Sequence, residues 1–140
     1  MEGKIYTWLL AIGAGFVTHL LGGWDMLLQA VIYIVALDIL TGIGASLHEG
    51  RGLSSAIAHA GLQKKAMYVL LVIFGVVLDM LLVHNGIMQA PGLVRSATLY
   101  AVLVPEGLSI VENFGRAGVP LPKVIKQIMA IFQEKADAEI

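Results

Sequence analysis

The feature that most constrains this chain is the length of its apolar runs. Four blocks, at about residues 5–21, 24–47, 66–83 and 92–110, are each long enough for a membrane-spanning helix, which needs roughly 20 mostly apolar residues. The fourth is the least clean, because it carries Arg95, Pro105 and Glu106. A water-soluble domain of this size needs far more polar surface than a chain that is 58% hydrophobic and 14% charged provides. The expected fold class is therefore an all-α membrane protein with about four transmembrane helices. Residues 1–112 would form the membrane domain. The first block has the alternative reading of a signal peptide, but the acidic Glu2 and the run past the small residues "AIG" favour a retained helix.

Residues 113–140 read as a cytoplasmic tail. Leu121, Val124, Ile125, Ile128, Ile131 and Phe132 recur at helical spacing, with Lys123, Lys126, Gln127 and Lys135 on other faces. Pro120 and Pro122 precede this amphipathic helix, where prolines are tolerated. It either lies on the inner membrane surface, with its lysines on anionic lipid, or packs against a partner helix.

Connections are short at Gly22–Gly23 and turn-like at Asn85–Gly86. The polar stretch His48–Lys65 is longer, and Ser54 or Ser55 is placed to cap a short helix there. With four spans, eight of the nine Lys and Arg residues fall on the side of the termini and the 48–65 loop; Arg95 alone is opposite. Basic residues stay cytoplasmic, so both termini are expected inside.

Several function classes drop out. A net charge of −1 leaves no basic footprint for nucleic acid. There is no cysteine, and His19, His48, His59 and His84 lack metal-ligand spacing. No phosphate loop or nucleophile elbow is present, so neither a cofactor nor an enzyme is expected.

What remains are the charges inside the spans. A charge at the bilayer centre costs roughly 2.5–3.5 kcal/mol, so Asp38, Asp79, Arg95 and Glu106 should face a bundle, a partner or a wet cavity. Depth suggests partners. Asp79 lies about 20 Å up the third helix, level with Arg95, so an Asp79–Arg95 pair near the outer face is expected. Glu106 lies near the inner end of the fourth helix, level with Lys64 and Lys65. Asp38 has no cation at its own depth, leaving protonation or a hydrogen bond to Thr41 or a neighbouring helix. Small residues four apart, Ala11 with Gly15 and Gly42 with Ser46, favour close helix packing within or between subunits. A chain this small encloses no large aqueous path alone, so conduction would need a homo-oligomer in the lipid bilayer.

The ordered set Asp38, Thr41, Gly42, Ser54, Gly61, Lys64, Asp79, Glu106, Ser109, Ile110, Glu112, Asn113, Gly118, Pro120 and Pro122 resembles the pattern of the phage-lysis and toxin-secretion holin family over roughly residues 30–125. It matches an LD-x-x-TG element, a later LD, and an E-x-x-SI-x-EN segment ending in G-x-P-x-P. The resemblance implies a protein of the bacterial cytoplasmic membrane that assembles into lesions, releasing an endolysin or a large toxin as cargo. Carried over, it makes Asp38, Asp79 and Glu106 candidate assembly or pore residues; Thr41, Gly42, Glu112 and Asn113 of the same pattern and the intramembrane Arg95 complete the candidate set. Many holins carry a strongly charged tail, whereas this one is mixed and amphipathic. The competing reading is a small ion channel or proton-coupled transporter with Asp38 and Asp79 as relay groups; a third is a scaffold without conduction.

Overall fold

A computed structural model describes residues 2–52 and 55–138. Among them the regular elements are five helices: α1 (Glu2–Leu20), α2 (Met26–His48), α3 (Ser55–His84), α4 (Leu93–Arg116) and α5 (Lys123–Ala138). Ser54, one of the two expected caps, lies outside the described residues.

Three helices are long and apolar enough to cross a membrane: α2, the Gly61–His84 part of α3, and α4. The expected first span does form a helix, α1. It is not one of these three, because Lys4, Thr7, Thr18, His19 and three glycines dilute its apolar residues. The third helix begins before the expected Ala66, and the fourth runs to Arg116 rather than ending at Ile110. Pro105 sits inside α4 without ending it. It withdraws one donor from the helix ladder, a loss membrane helices tolerate when neighbours pack around the site.

The same device ends α1 through α4. Gly22, Gly50, Gly86 and Gly118 all have positive φ, and each lies two residues beyond its helix. Each glycine N–H, with the N–H that follows it, returns to carbonyls of the last turn, as in Gly118 to Gly115 at 3.1 Å and Val119 to Phe114 at 2.9 Å. This is the Schellman cap, in which glycine adopts the left-handed conformation without steric cost.

Helix α4 is the hub, with α2, α3 and α5 packed against it. Its buried residues Arg95, Leu99, Val102, Glu106, Gly107 and Asn113 follow helical spacing along one face. That face is polar at both ends and apolar between. The apolar part joins Leu28 and Val31 of α2 and Val72 of α3 in one core, edged by Leu21, Leu27, Val35, Tyr68 and Leu103. The outside is the reverse of a soluble protein: Leu40, Leu70, Phe74, Val77, Leu81 and Tyr100 are all exposed, while Asp79, Arg95, Glu106 and Asn113 are buried.

Lipid tails are as apolar as leucine, so water exclusion does little to hold such helices together inside a bilayer. Close packing and polar contacts must do it. At Gly75 α3 meets α4 so tightly that a Cβ would fall 2.7 Å from Thr98 Oγ1 and 2.8 Å from its Cγ2. On the other side of the hub, Ala45 of α2 is fully buried.

Candidate functional site: two polar clusters on the α4 hub

One cluster, the outer one in the expected topology, is built on the start of α4. Gly92 occupies the N-cap position and has no side chain to cap with. Asp79 reaches across from α3 instead. Its carboxylate accepts the backbone N–H of Val94 at 3.0 Å and of Arg95 at 2.7 Å. These are donors that a helix start leaves without partners, and the helix dipole favours a negative charge there.

The expected Asp79–Arg95 side-chain pair is therefore corrected. Asp79 holds the Arg95 backbone, and the guanidinium turns to the α1–α2 connection. It donates to the Leu21 carbonyl at 2.6 Å, the Gly23 carbonyl at 3.1 Å, and Asp25 at 2.5 and 3.3 Å. Close passage of the Arg95 side chain also explains Gly22, where a Cβ would lie 2.6 Å from Arg95 Cδ. Asp25 in turn caps α2, accepting the Leu28 N–H at 2.9 Å. The hydrogen bond from Arg95 is the main reason the Asp25 carboxyl is held below its usual 3.8, against a smaller opposing push from desolvation. Beside this cluster a cavity of about 830 Å³ opens between α1 and α3, lined in part by Thr18, His19, Met80 and His84.

The inner cluster joins all three candidate spans. Glu106, 1% exposed, accepts from Lys65 and lies 3.4 Å from Lys64. Lys65 also donates to Asp38 at 3.0 Å. Asn113 donates to Asp38 Oδ1 at 3.1 Å and to Thr41 Oγ1 at 3.2 Å. Thr41 itself donates to the Leu37 carbonyl one turn back, at 2.8 Å. Gly42 faces Asn113, whose amide nitrogen lies 3.5 Å from where a Cβ would be, an ordinary contact distance. The chain of contacts continues outward: Arg116 donates to Asn113 Oδ1 at 3.1 Å and to Glu49 at 2.7 and 3.1 Å. Arg116 is the first cause of the lowered pKa of the half-buried Glu49.

Two acids and two lysines balance in charge here. Buried ion pairs of this kind add little net stability, yet removing one partner is costly because the other is left buried and uncompensated. Lys64 also stands 5.4 Å over the Tyr68 ring, an electrostatic contact that keeps the cation beside the bundle.

The expectation that Glu106 meets Lys64 and Lys65 is met. The expectation that Asp38 has no cation at its level is corrected: Lys65 belongs to α3 rather than to a loop, and its long side chain reaches Asp38. Asn113, expected beyond the fourth span, lies in the last full turns of α4 and is buried. Glu112 beside it is exposed and makes none of the hydrogen bonds or ion pairs of either cluster. Sequence reasoning missed Asp25 as a site residue and placed Lys65 beside Glu106 alone, without its contact to Asp38. The signal for Asp25 was present in "WDMLLQ", an aspartate immediately before an apolar helix.

The chain matches the family described as the bacteriophage holin family over residues 15–134. It belongs to that family. Membership fits a non-enzymatic membrane protein and agrees with the three apolar helices. This holin-family chain is 33% identical over 140 residues to an uncharacterised protein of Listeria innocua, covering 99% of this chain and 94% of the relative. It is 32% identical over 126 residues to an uncharacterised protein of Halalkalibacterium halodurans, covering 90% and 92%. A more distant relative, from Bacillus phage phi105, bears the name "Probable holin" and is 28% identical over 110 residues, covering 79% and 76%. No solved structure matches the chain.

Proposed function

We propose that this chain is a holin that self-associates in the bacterial cytoplasmic membrane and opens lesions through which an endolysin or a large toxin passes. The observation that carries the reading is the inverted distribution of side chains in a member of the holin family. Asp38 of α2, Lys65 of α3 and Glu106 of α4 are paired inside a small bundle, Asp79 and Arg95 are buried, and the large apolar side chains of these helices face outward. Such a protomer accumulates in a bilayer without leakage, and one copy holds no through-going wet path.

Helices α2, α3 and α4 then cross with the Asn85–Gly86 turn outside and the 49–54 connection and tail inside, following the bias of Lys and Arg. In this reading α1 is the fourth span and places the N-terminus inside. The test is induced expression in a bacterium together with a cytoplasmic endolysin. A fall in membrane potential followed by endolysin-dependent lysis is expected; cells that keep their potential and retain the endolysin would refute the proposal.

The channel or transporter reading needs a proton route between Asp38 and Asp79. Between their clusters lies the dry core of Leu28, Val31, Val72, Leu99 and Val102, which argues against a relay within one protomer. Vesicles carrying the protein separate the two readings: escape of a folded protein marker accompanies lesions, whereas selective, pH-dependent ion flux without it accompanies a channel.

A further inference from the structure

The tail helix α5 carries an apolar stripe that the described residues do not cover. Val124, Ile125, Ile128 and Ile131 are all exposed, and their spacing sets them on one side of the helix. Lys123, Lys126, Ala130 and Glu134 project from the other half. A 16-residue helix is marginal alone in water, and this one is worse placed than most. Its first turn has no acid but has Lys123 and Lys126 near the positive end of the helix dipole, where cations are unfavourable. Neither lysine forms an ion pair with a described residue. Among the described residues nothing covers the stripe or supplies negative charge beside the first turn.

Position decides what can. The six residues Ala117–Pro122 between α4 and α5 span at most about 20 Å even when extended. The turn at Gly118 and the two prolines shorten that reach. If α4 crosses the bilayer, as the proposed function holds, α5 cannot move far from the surface where α4 emerges. We infer that α5 lies flat at the boundary of headgroups and acyl chains of that leaflet, with its isoleucine stripe in the acyl region and Lys123 and Lys126 among anionic headgroups. A helix at this depth keeps its polar half at the level of the phosphates. Two lysines near an anionic surface contribute enough to shift the surface-bound population by roughly tenfold or more.

The absence of cysteine makes the test direct. Ile128→Cys and Ala130→Cys proteins, full length and spin-labelled, are reconstituted into phosphatidylcholine vesicles with and without phosphatidylglycerol. Collisions with oxygen report acyl surroundings, and collisions with a water-soluble nickel chelate report water. In the anionic vesicles, residue 128 should favour oxygen and residue 130 nickel, by several-fold in opposite directions. Lys123→Gln with Lys126→Gln, or omission of phosphatidylglycerol, should raise nickel access at 128. Equal nickel access at 128 and 130 in anionic vesicles would overturn the inference. So would spin–spin broadening at 128 that disappears on dilution with unlabelled protein, since a second copy would then cover the stripe. A label at the exposed Phe74 of α3 keeps the two readings apart: exclusion of nickel at 74 without immersion at 128 rejects only the tail, whereas nickel access at 74 rejects the membrane-spanning bundle and the tail with it.

Discussion

Asp79 of α3 caps α4 by accepting the backbone N–H of Arg95 at 2.7 Å, and that of Val94 at 3.0 Å. The side chain of one span thus completes the start of the next. Asp79→Ala is expected to destabilise the fold by about 2–3 kcal/mol, since two buried donors at a helix start lose a charged acceptor. Asp79→Asn should cost about half as much, because the amide keeps one acceptor oxygen. Unfolding by SDS titration from mild-detergent micelles measures both.

Gly75 gives a steric test. Gly75→Ala places a methyl group 2.7 Å from Thr98 Oγ1 and should destabilise by about 1–3 kcal/mol through overpacking. Thr98→Ala removes both offending atoms, so the double variant should recover most of that loss. The same titration reads the non-additivity; additive effects would mean that α3 and α4 do not meet there.

Lys65 holds two carboxylates, those of Asp38 and Glu106. Lys65→Met should cost about 3–5 kcal/mol, because both acids lose their shared cation while staying buried. Adding Asp38→Asn and Glu106→Gln to that variant should restore much of the stability. Asp38→Asn alone should change the onset of lysis at equal expression, since it loosens the joint between α2, α3 and α4. Unchanged timing would reduce Asp38 to passive packing.

The outer latch should respond to acid. Arg95 lowers the Asp25 carboxyl below its ordinary 3.8. A carboxylate with a depressed folded-state value contributes stability that is fully present above its unfolded value and lost as the pH falls through its folded value. The contribution of Asp25 should therefore be flat from neutral pH to about pH 5 and fall away below about pH 4. The difference in unfolding midpoint between the wild type and Asp25→Asn, measured across this range, should shrink only at the acid end.

Orientation can be read by labelling single cysteines in intact cells with a membrane-impermeant maleimide. Asn85→Cys should be labelled from outside and Gln127→Cys should not. Lys4→Cys decides the status of α1: protection in intact cells accompanies a fourth span, and labelling places α1 on the outer side.

The candidate spans α2, α3 and α4 were legible because hydropathy over 20 residues is a coarse signal that a few polar residues do not erase. Their ends were less so. The "ENFGR" turn of α4 is polar because Asn113 and Arg116 serve the inner cluster, and by composition it looked like an exit from the membrane. Depth counting paired Glu106 with Lys64 and Lys65 correctly, since all three lie on adjacent helices at one level. It fails at Asp38 because the apolar run starts at Ala66, whereas α3 starts at Ser55 and carries Lys65. It failed at Arg95 because depth cannot say which way a long side chain swings. The guanidinium finds carbonyls and the Asp25 carboxylate in the short α1–α2 connection, which the reading of Gly22–Gly23 treats only as a turn.

The buried polar stripe of α4 has a consequence for any larger assembly. A ring of protomers that all kept this arrangement would wall its centre with leucine, valine and phenylalanine, a surface from which water retreats. To hold a stable column of water, each member must turn its lining over, so that Asp38, Lys65, Glu106 and Asn113 trade one another for solvent. In the proposed holin, the contacts that make the single chain tidy would then be the barrier to opening, and the strength of one polar knot would set how long an assembled patch stays shut.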